Sequence, residues 1–126
     1  MEHPQLFDAG DRLVARVRGL CLRLPESVEV EAWGRPTFRA GKKIFAIVGS
    51  SMDRPNTVVF KPDPEEARAL REDERFFSPP YWGPSGWLAV DLDTRDADWT
   101  ELAELIETSY RQVALKRQLA VLDGVM

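Results

Sequence analysis

A chain of 126 residues, of which 44% are hydrophobic and 30% are charged, is long enough to form one folded domain with a real core. The net charge of −4 argues against a protein that coats nucleic acid indiscriminately, and the single cysteine excludes an internal disulfide. No apolar run approaches the roughly 20 residues of a membrane helix, and no secretory signal is recognisable, so we expect a cytoplasmic protein without a membrane partner.

The first predicted elements are a helix and a half-buried strand. Apolar residues recur at three- and four-residue steps from Leu13 to Leu24, and Pro25 disfavours helical geometry at the residue before it, so the helix should end near Arg23. Cys21 lies in or beside this apolar stripe, where we expect a small buried residue rather than a nucleophile. Polar and apolar residues then alternate over 27–32, which predicts a strand with one buried face.

Residues 33–48 predict a hairpin in the middle of the sheet. Pro36 cannot donate to a β-ladder, which indicates an edge or a bend before extended structure resumes at 37–39. Ala40-Gly41 is the predicted turn, because glycine tolerates a positive φ. Residues 44–48 are continuously apolar, as is typical of a strand covered on both faces.

A loop over 49–56 and a strand over 57–61 precede the second predicted helix. Asp63 would cap this helix, Pro64 suits its first position, and Glu66 completes a capping-box pattern. The helix is expected to end at about residue 71 or 72.

The carboxyl-terminal third predicts a loop, a strand and a long helix. Residues 76–86 are rich in aromatic residues, proline and glycine, which favours a structured loop with short extended pieces. A strand over 87–92 follows, and Asp96 or Asp98 can cap the last helix. Residues after about 116 are expected to form a frayed or separate helical tail.

The predicted order of elements is therefore α-β-β-β-β-α-β-α. Successive strands with helices at the ends indicate an α+β domain. We expect a mostly antiparallel sheet of about five strands with helices packed on one face.

Positive charge is concentrated in the central hairpin and the strand after it. Residues 35–61 hold six cations and one acid, whereas residues 62–126 hold seven basic and fourteen acidic residues. The six cations are Arg35, Arg39, Lys42, Lys43, Arg54 and Lys61. A short turn would place like charges across from each other, which is unfavourable unless an anion binds there. These residues are candidates for binding nucleic-acid phosphates, and the alternative is a solvated hairpin whose lysines prevent edge-to-edge aggregation.

Aromatic residues form a second candidate surface. Tyr81, Trp82 and Tyr110 are candidates for a ligand or partner surface, and Trp82, among prolines and glycines, is the tryptophan expected to be exposed. Trp33 and Trp87 are expected to be packing residues. For Tyr110, which follows Ser109 in the middle of the last helix, close packing against the sheet is the alternative.

Conventional catalysis finds no support in the sequence. The only histidine, His3, lies near the amino terminus, so no serine–histidine or cysteine–histidine pair is predicted. No zinc-ligand spacing, P-loop or dinucleotide fingerprint is present. We expect a protein that is not an enzyme, with no catalytic residue, no metal and no cofactor.

Several short motifs together resemble the MmcQ/YjbR family over nearly the whole chain. The motifs are Cys21-x-x-Leu24-Pro25-Glu26, Trp33-Gly34-x-Pro36-Thr37-Phe38-Arg39, Gly41-Lys42-Lys43-Ile44-Phe45-Ala46, Phe60-Lys61-x-x-Pro64-Glu65-Glu66-Ala67, Pro80-Tyr81, Gly86-Trp87 and Ser109-Tyr110. The resemblance implies a compact α+β fold that is similar to type III secretion chaperones and is called a double-wing DNA-binding domain.

Three functional hypotheses follow from the residues and the resemblance. The first is a non-enzymatic DNA-binding protein with weak, salt-sensitive affinity, in which the basic central hairpin binds phosphates. The second is a protein-interaction module of adaptor or chaperone-like type that uses the aromatic-proline segment. The third is a site for a small anionic ligand beside Lys61 and Tyr110.

Overall fold

Four α-helices and six strands make up the described part of the chain in the computed structural model, which covers residues 11–51 and 54–125. The helices are α1 (Arg12–Leu22), α2 (Pro64–Glu72), α3 (Trp99–Val113) and α4 (Lys116–Leu122). The strands are β1 (Ser27–Ala32), β2 (Arg35–Ala40), β3 (Lys43–Val48), β4 (Thr57–Phe60), β5 (Phe76–Phe77) and β6 (Leu88–Asp91). The predicted α+β class is confirmed.

The strands form a single antiparallel sheet in the order β1-β2-β3-β4-β6-β5. The strand beyond the five expected is β5, a two-residue strand in the aromatic segment, which pairs with β6 through Phe76 and Val90. This short strand is one of the extended pieces that the segment was predicted to contain. The sheet therefore has β1 and β5 at its two edges.

Local capping explains where the helices begin. The Asp63 side chain accepts a hydrogen bond from the Glu65 N–H at 2.8 Å, and Pro64 occupies the first turn of α2, as predicted. The Asp98 side chain accepts from the Glu101 N–H at 3.0 Å and starts α3. The chain after α3 continues into α4, whose Leu119 and Leu122 pack against the main core.

One face of the sheet is covered by helices and carries the main core. Side chains of α1, α3 and α4 pack there against Phe38, Val58 and Phe60 of the sheet. Because Phe38 pairs with Ala46 while Arg39 pairs with Ile44, Phe45 is an extra residue in β3 and forms a β-bulge. Phe45 and Ala46 both contribute to this core as a result. We call this side the helix-covered face.

The opposite side of the sheet, which we call the open face, is covered only in part. A second, smaller buried cluster lies on this face and contains Ile47, Val59, Trp87 and Ala89. Strand pairing and alternation place further side chains of β1, β2 and β3 on the same face: Val28, Val30, Arg35, Thr37, Arg39 and Ile44. Trp82 and Phe77 pack on the centre of this face. Val28 and Val30 on edge strand β1 remain 44% and 39% exposed. The open face thus presents uncovered apolar area beside cations.

The prediction of an edge or bend at Pro36 is wrong. Pro36 lies inside β2 opposite Glu31, and the ladder between β2 and β3 begins only at Thr37. The missing N–H therefore does not interrupt the pairing with β3. The irregularity belongs to Trp33-Gly34, a two-residue hairpin turn in which φ is +56° and +77°.

None of the described helices has the length and apolar character needed to cross a lipid bilayer.

Candidate binding surface

A cleft of about 340 Å³ lies at one end of the open face. We call it the aromatic cleft; its walls include Trp33, Arg35, Ser50, Pro80, Tyr81 and Trp82. These residues come from three places in the sequence: the β1–β2 turn with the start of β2, the β3–β4 loop, and the aromatic loop (residues 78–87) before β6. The antiparallel order of β1 to β4 brings the first two together, and the aromatic loop folds across the open face to meet them.

Four aromatic rings form a continuous cluster at the cleft. Trp82 lies at its centre, with ring centroids 5.8 Å from Trp33, 5.4 Å from Tyr81 and 5.3 Å from Trp87. Trp87 is buried on Ile47 of the sheet, whereas Trp33 is 42% exposed and Tyr81 is 83% exposed. The cluster is therefore anchored on one side and presents two rings to solvent.

Two of these aromatic residues have left-handed backbone conformations. Trp33 has φ +56° and Tyr81 has φ +71°, a region that costs a residue with a Cβ about 1–2 kcal/mol. Hydrogen bonds from the Trp82 N–H to the Pro80 carbonyl and from the Gly83 N–H to the Pro79 carbonyl, both 2.8 Å, hold the aromatic loop. Strain of this kind is concentrated at functional sites in folded proteins.

Arg35 is the charged group among the described walls of the cleft. Its Nη1 donates one hydrogen bond to the Gly49 carbonyl at 3.2 Å, and within residues 11–51 and 54–125 it forms no ion pair. Burial lowers the pKa of the Arg35 guanidinium, which nevertheless stays protonated at neutral pH. Since an arginine has five N–H donors, most of this group remains available to an anion.

The β3–β4 loop supplies a firm wall beside Arg35. The Gly49 N–H donates to the Thr57 carbonyl at 2.7 Å, and the Ser50 N–H donates to the Thr57 hydroxyl at 2.8 Å. Gly49 has φ +90°, and a Cβ there would lie 3.4 Å from Cδ of Arg35. Glycine therefore permits both the turn and the close approach of the arginine.

The strand register divides the predicted cations between the two faces of the sheet. Arg35 and Arg39 lie on the open face with Thr37, and Nε of Arg39 donates to the Thr37 hydroxyl at 3.3 Å. Lys43 pairs with Ala40, which is buried in the main core, so Lys43 lies on the helix-covered face. The tight hairpin thus separates charges that are neighbours in sequence.

The remaining three predicted cations, Arg54, Lys42 and Lys61, lie apart from Arg35 and Arg39. The Arg54 guanidinium is 4.3 Å from the ring centroid of Phe77, Lys42 is exposed in the β2–β3 turn, and Lys61 follows β4 beside α3. None of the six cations is ion-paired to a carboxylate in the part of the chain that the structure describes. They are distributed around the sheet rather than gathered in one patch.

Comparison with known proteins reveals the family. The model of the YjbR family matches residues 22–112. This chain belongs to the YjbR family. The chain is also similar in fold to a Deinococcus radiodurans protein, DR2400, whose crystal structure contains a DUF419 domain. The TM-score is 0.67 at 25% sequence identity, with 82% of this chain and 79% of that chain covered. No curated protein matches the sequence.

One of the predicted surface residues, Tyr110, lies away from the aromatic cleft. Tyr110 is fully buried, its hydroxyl donates to the Pro25 carbonyl at 2.6 Å, and its ring meets that of Phe45 edge-on at 5.4 Å. The hydroxyl of Ser109 donates to the Phe45 carbonyl at 2.6 Å and accepts from the Lys61 N–H at 2.9 Å. Ser109-Tyr110 therefore joins α3 to the sheet and is not available to a surface ligand.

The exposure of two tryptophans differs from expectation. Trp33 was expected to be a packing residue but is 42% exposed, and Trp82 was expected to be exposed but is half-buried between other rings. The signal for Trp33 was present in the sequence, because Trp33-Gly34 follows an alternating strand directly and a glycine there favours a two-residue turn. A residue in such a turn is exposed. The position of Trp82 depends on distant contacts that no local pattern reveals.

A second cavity of about 260 Å³ lies between β5, β6 and the start of α3. Arg75 at its edge is ion-paired with Asp73 at 2.8 Å and with Glu101 at 2.9 Å. The walls of this cavity include five carboxylates, of Glu74, Asp91, Asp96, Asp98 and Glu101, and two cations, of Arg54 and Arg75, so an anionic ligand suits it less well than it suits the aromatic cleft.

The described residues hold no group of three or more His, Cys, Asp or Glu side chains placed to bind a metal ion. Cys21 is fully buried, and burial raises the pKa of its thiol, which keeps it protonated and unreactive. His3 lies outside the described residues.

Proposed function

We propose that this YjbR protein is a non-enzymatic DNA-binding domain and that it binds DNA on the open face of its sheet. The observation that carries the proposal is that Arg35 and Arg39 lie on the same side of the sheet as exposed Trp33. Both arginines are half-buried, and neither forms an ion pair in the described residues. Guanidinium groups bind phosphates strongly, and aromatic rings bind bases. The double-wing DNA-binding fold implied by the family resemblance is consistent with this.

The proposal narrows the phosphate-binding set predicted from the sequence. Arg35 and Arg39 are its main members, and Arg54 of the β3–β4 loop is a third member whose guanidinium lies on the ring of Phe77, apart from the other two. Lys42, Lys43 and Lys61 are placed at the other end or on the helix-covered side. If about three phosphates are neutralised, log K against log salt should have a slope of about −2 for a single strand, since each contributes about −0.7.

A salt titration of DNA binding tests this function. Fluorescence anisotropy with labelled single-stranded and duplex DNA should show binding at low salt that weakens as salt rises. The double variant Arg35→Ala/Arg39→Ala should reduce the slope by about 1.4. The matched control is Arg12→Ala/Arg23→Ala, which removes two exposed cations at α1 on the other side of the sheet.

Three outcomes would contradict the proposal. One is the absence of binding to either form of DNA at low salt, and another is an equal loss in the two double variants. The third is loss in Lys42→Ala/Lys43→Ala with no loss in Arg35→Ala/Arg39→Ala, which would return the interface to the hairpin turn.

The non-enzymatic part of the proposal has its own support. The described walls of the aromatic cleft contain no histidine, cysteine or carboxylate that could act as a general base. We therefore expect DNA incubated with the protein, with and without added Mg²⁺, to be recovered with unchanged length on a denaturing gel. Cleavage or modification that requires the folded protein would disprove it.

A protein-interaction module is the second candidate, favoured by the exposed apolar side chains of β1. Val28 and Val30 lie on an edge strand whose outer side has no partner among the described strands, and such strands can accept a strand of another protein. In that case a partner should be recovered in a pull-down and lost when an exposed side chain of this strand is changed to a charged one, as in Val30→Lys. Its binding should not depend on salt in the way that phosphate contacts do.

A further inference from the structure

We infer that the aromatic cleft binds one unstacked nucleotide, with its base against Trp33 and Tyr81 and its phosphate on Arg35. The inference rests on the proposed DNA-binding function and specifies it: the favoured ligand is single-stranded, and one nucleotide leaves the stack to enter the cleft.

The chemistry of the walls defines the ligand class. Arg35 is the single charged residue among the described walls, and the remainder are aromatic rings, a proline and serines. A matching ligand has one anionic group and one flat ring within reach of each other, as a nucleotide has. An isolated phosphate would leave the rings unused, and an uncharged base would leave the guanidinium unused.

The size of the cleft agrees with a single nucleotide. Its volume of about 340 Å³ is near the lower limit of ligand-binding clefts, which extend from about 300 to 1,000 Å³. A stacked dinucleotide or a duplex end with both bases paired is larger than this space. The volume therefore favours one nucleotide over a longer stacked segment.

The ring geometry leaves surfaces on which a base can stack. Trp33 meets Trp82 at an interplanar angle of 69°, and Tyr81 meets Trp82 at 78°. Neither outer ring is stacked face to face on Trp82, so each keeps at least one face that Trp82 does not cover. With Tyr81 83% exposed and Trp33 42% exposed, these faces are reachable from solvent.

The backbone provides an independent indication that these two rings serve a ligand. Trp33 and Tyr81 are two of the three described residues other than glycine with positive φ, and both are cleft residues. Glycine or asparagine would adopt this conformation with less strain. A fold that required only a turn at these positions would be more stable with a smaller residue, so the large rings indicate a role other than folding.

Selectivity for single strands follows from access. In a duplex the bases are stacked and paired, so entry of one base requires unpairing, which costs free energy, whereas a single strand offers its bases directly. Arg35 can bind a phosphate of either form. The cleft therefore adds affinity for single strands only.

Tryptophan fluorescence provides the test, because Trp33 and Trp82 lie in the cleft. We would titrate the protein with a short oligothymidylate, with thymidine 5′-monophosphate, and with thymidine and inorganic phosphate separately. The oligonucleotide should quench the fluorescence and bind most tightly, the mononucleotide should bind more weakly, and neither fragment should match the mononucleotide. Trp99→Phe, which changes a tryptophan of α3 outside the cleft, is the control and should preserve the quenching.

Substitution of the rings should weaken oligonucleotide binding. Tyr81→Ala and Trp33→Ala should each reduce affinity roughly 5- to 150-fold, the range for removing one stacking platform. Trp33→Asn removes the ring while suiting the left-handed backbone, so a loss of binding with an unchanged melting temperature would exclude misfolding as the cause. Duplex affinity should change little in these variants.

The outcomes separate the two proposals. If oligonucleotide binding depends on Arg35 and Arg39 but not on Trp33 or Tyr81, the nucleotide cleft is disproved and the DNA-binding function stands. Duplex binding as tight as single-strand binding would likewise disprove the cleft. If no DNA binds but the mononucleotide does, the cleft stands as a site for a free nucleotide and the DNA-binding function fails. Binding of neither disproves both.

Discussion

The helix-covered face and the open face of the same sheet differ in how their side chains are held. On the helix-covered face Phe38, Phe45 and Phe60 have no exposed area. The Ser109 hydroxyl of α3 forms hydrogen bonds with the backbone of β3 and of Lys61, which follows β4. On the open face Val28 and Trp33 keep about two-fifths of their area in solvent, at 44% and 42%. The main core and the proposed binding surface therefore lie on opposite sides of the sheet, so substitutions on the two sides should affect stability and DNA binding separately.

The largest expected effect comes from the core. Phe45→Ala should lower the free energy of unfolding by about 3–5 kcal/mol, because it removes a ring with no exposed area from contact with Tyr110 and leaves a cavity. Val28→Ala on the open face should cost less than about 1 kcal/mol, since that side chain is already 44% exposed. Urea denaturation measures both, and similar losses would contradict the division of roles.

A smaller effect is expected from one buried hydroxyl. Ser109→Ala should cost about 1–3 kcal/mol, because the Phe45 carbonyl and the Lys61 N–H would each lose a partner inside the protein. The control is Thr108→Ala on the same helix, whose side chain forms no hydrogen bond with the described residues. A loss for Ser109→Ala no greater than that of the control would show that water replaces the hydroxyl.

On the open face, Trp33→Asn should change the free energy of unfolding by less than about 1 kcal/mol. The lost edge contact with Trp82 is offset by relief of a left-handed backbone at φ +56°, which asparagine adopts more readily. This change in the free energy of unfolding can be measured by thermal unfolding, with circular dichroism as the signal. A large destabilisation would mean that Trp33 serves the fold rather than a ligand.

The smallest expected effect is at Cys21, which should not react in the native protein. Burial raises the pKa of its thiol, so a maleimide or disulfide reagent should label it only after denaturation, even near pH 9. The unfolded chain releases this proton near pH 8.5 and the folded chain does not, so the free energy of unfolding should decrease above that pH. Rapid native labelling would show that the helix-covered face opens.

The sequence by itself determined most of the order of elements, the short strand β5 excepted, and most of their boundaries. Asp63-Pro64 and Asp98 mark helix starts through interactions with the next few residues, and the alternation over 27–32 marks β1. The YjbR motifs could also be recognised without coordinates. All of these signals are local, or consist of residue identities in a fixed order, and both kinds are present in the chain before it folds.

Only the tertiary structure decided which side of the sheet each candidate binding residue occupies. Position in sequence placed Arg39 beside Lys43, but Lys43 pairs with Ala40, whose side chain is on the face opposite to that of its neighbour Arg39, so the two cations lie on opposite faces. The aromatic cleft joins residues from three segments through long-range contacts between Trp33 and Trp82 and between Arg35 and Gly49. Because a strand's side chains change face with a register shift of one residue, such a surface depends on pairing between distant segments that no local pattern specifies.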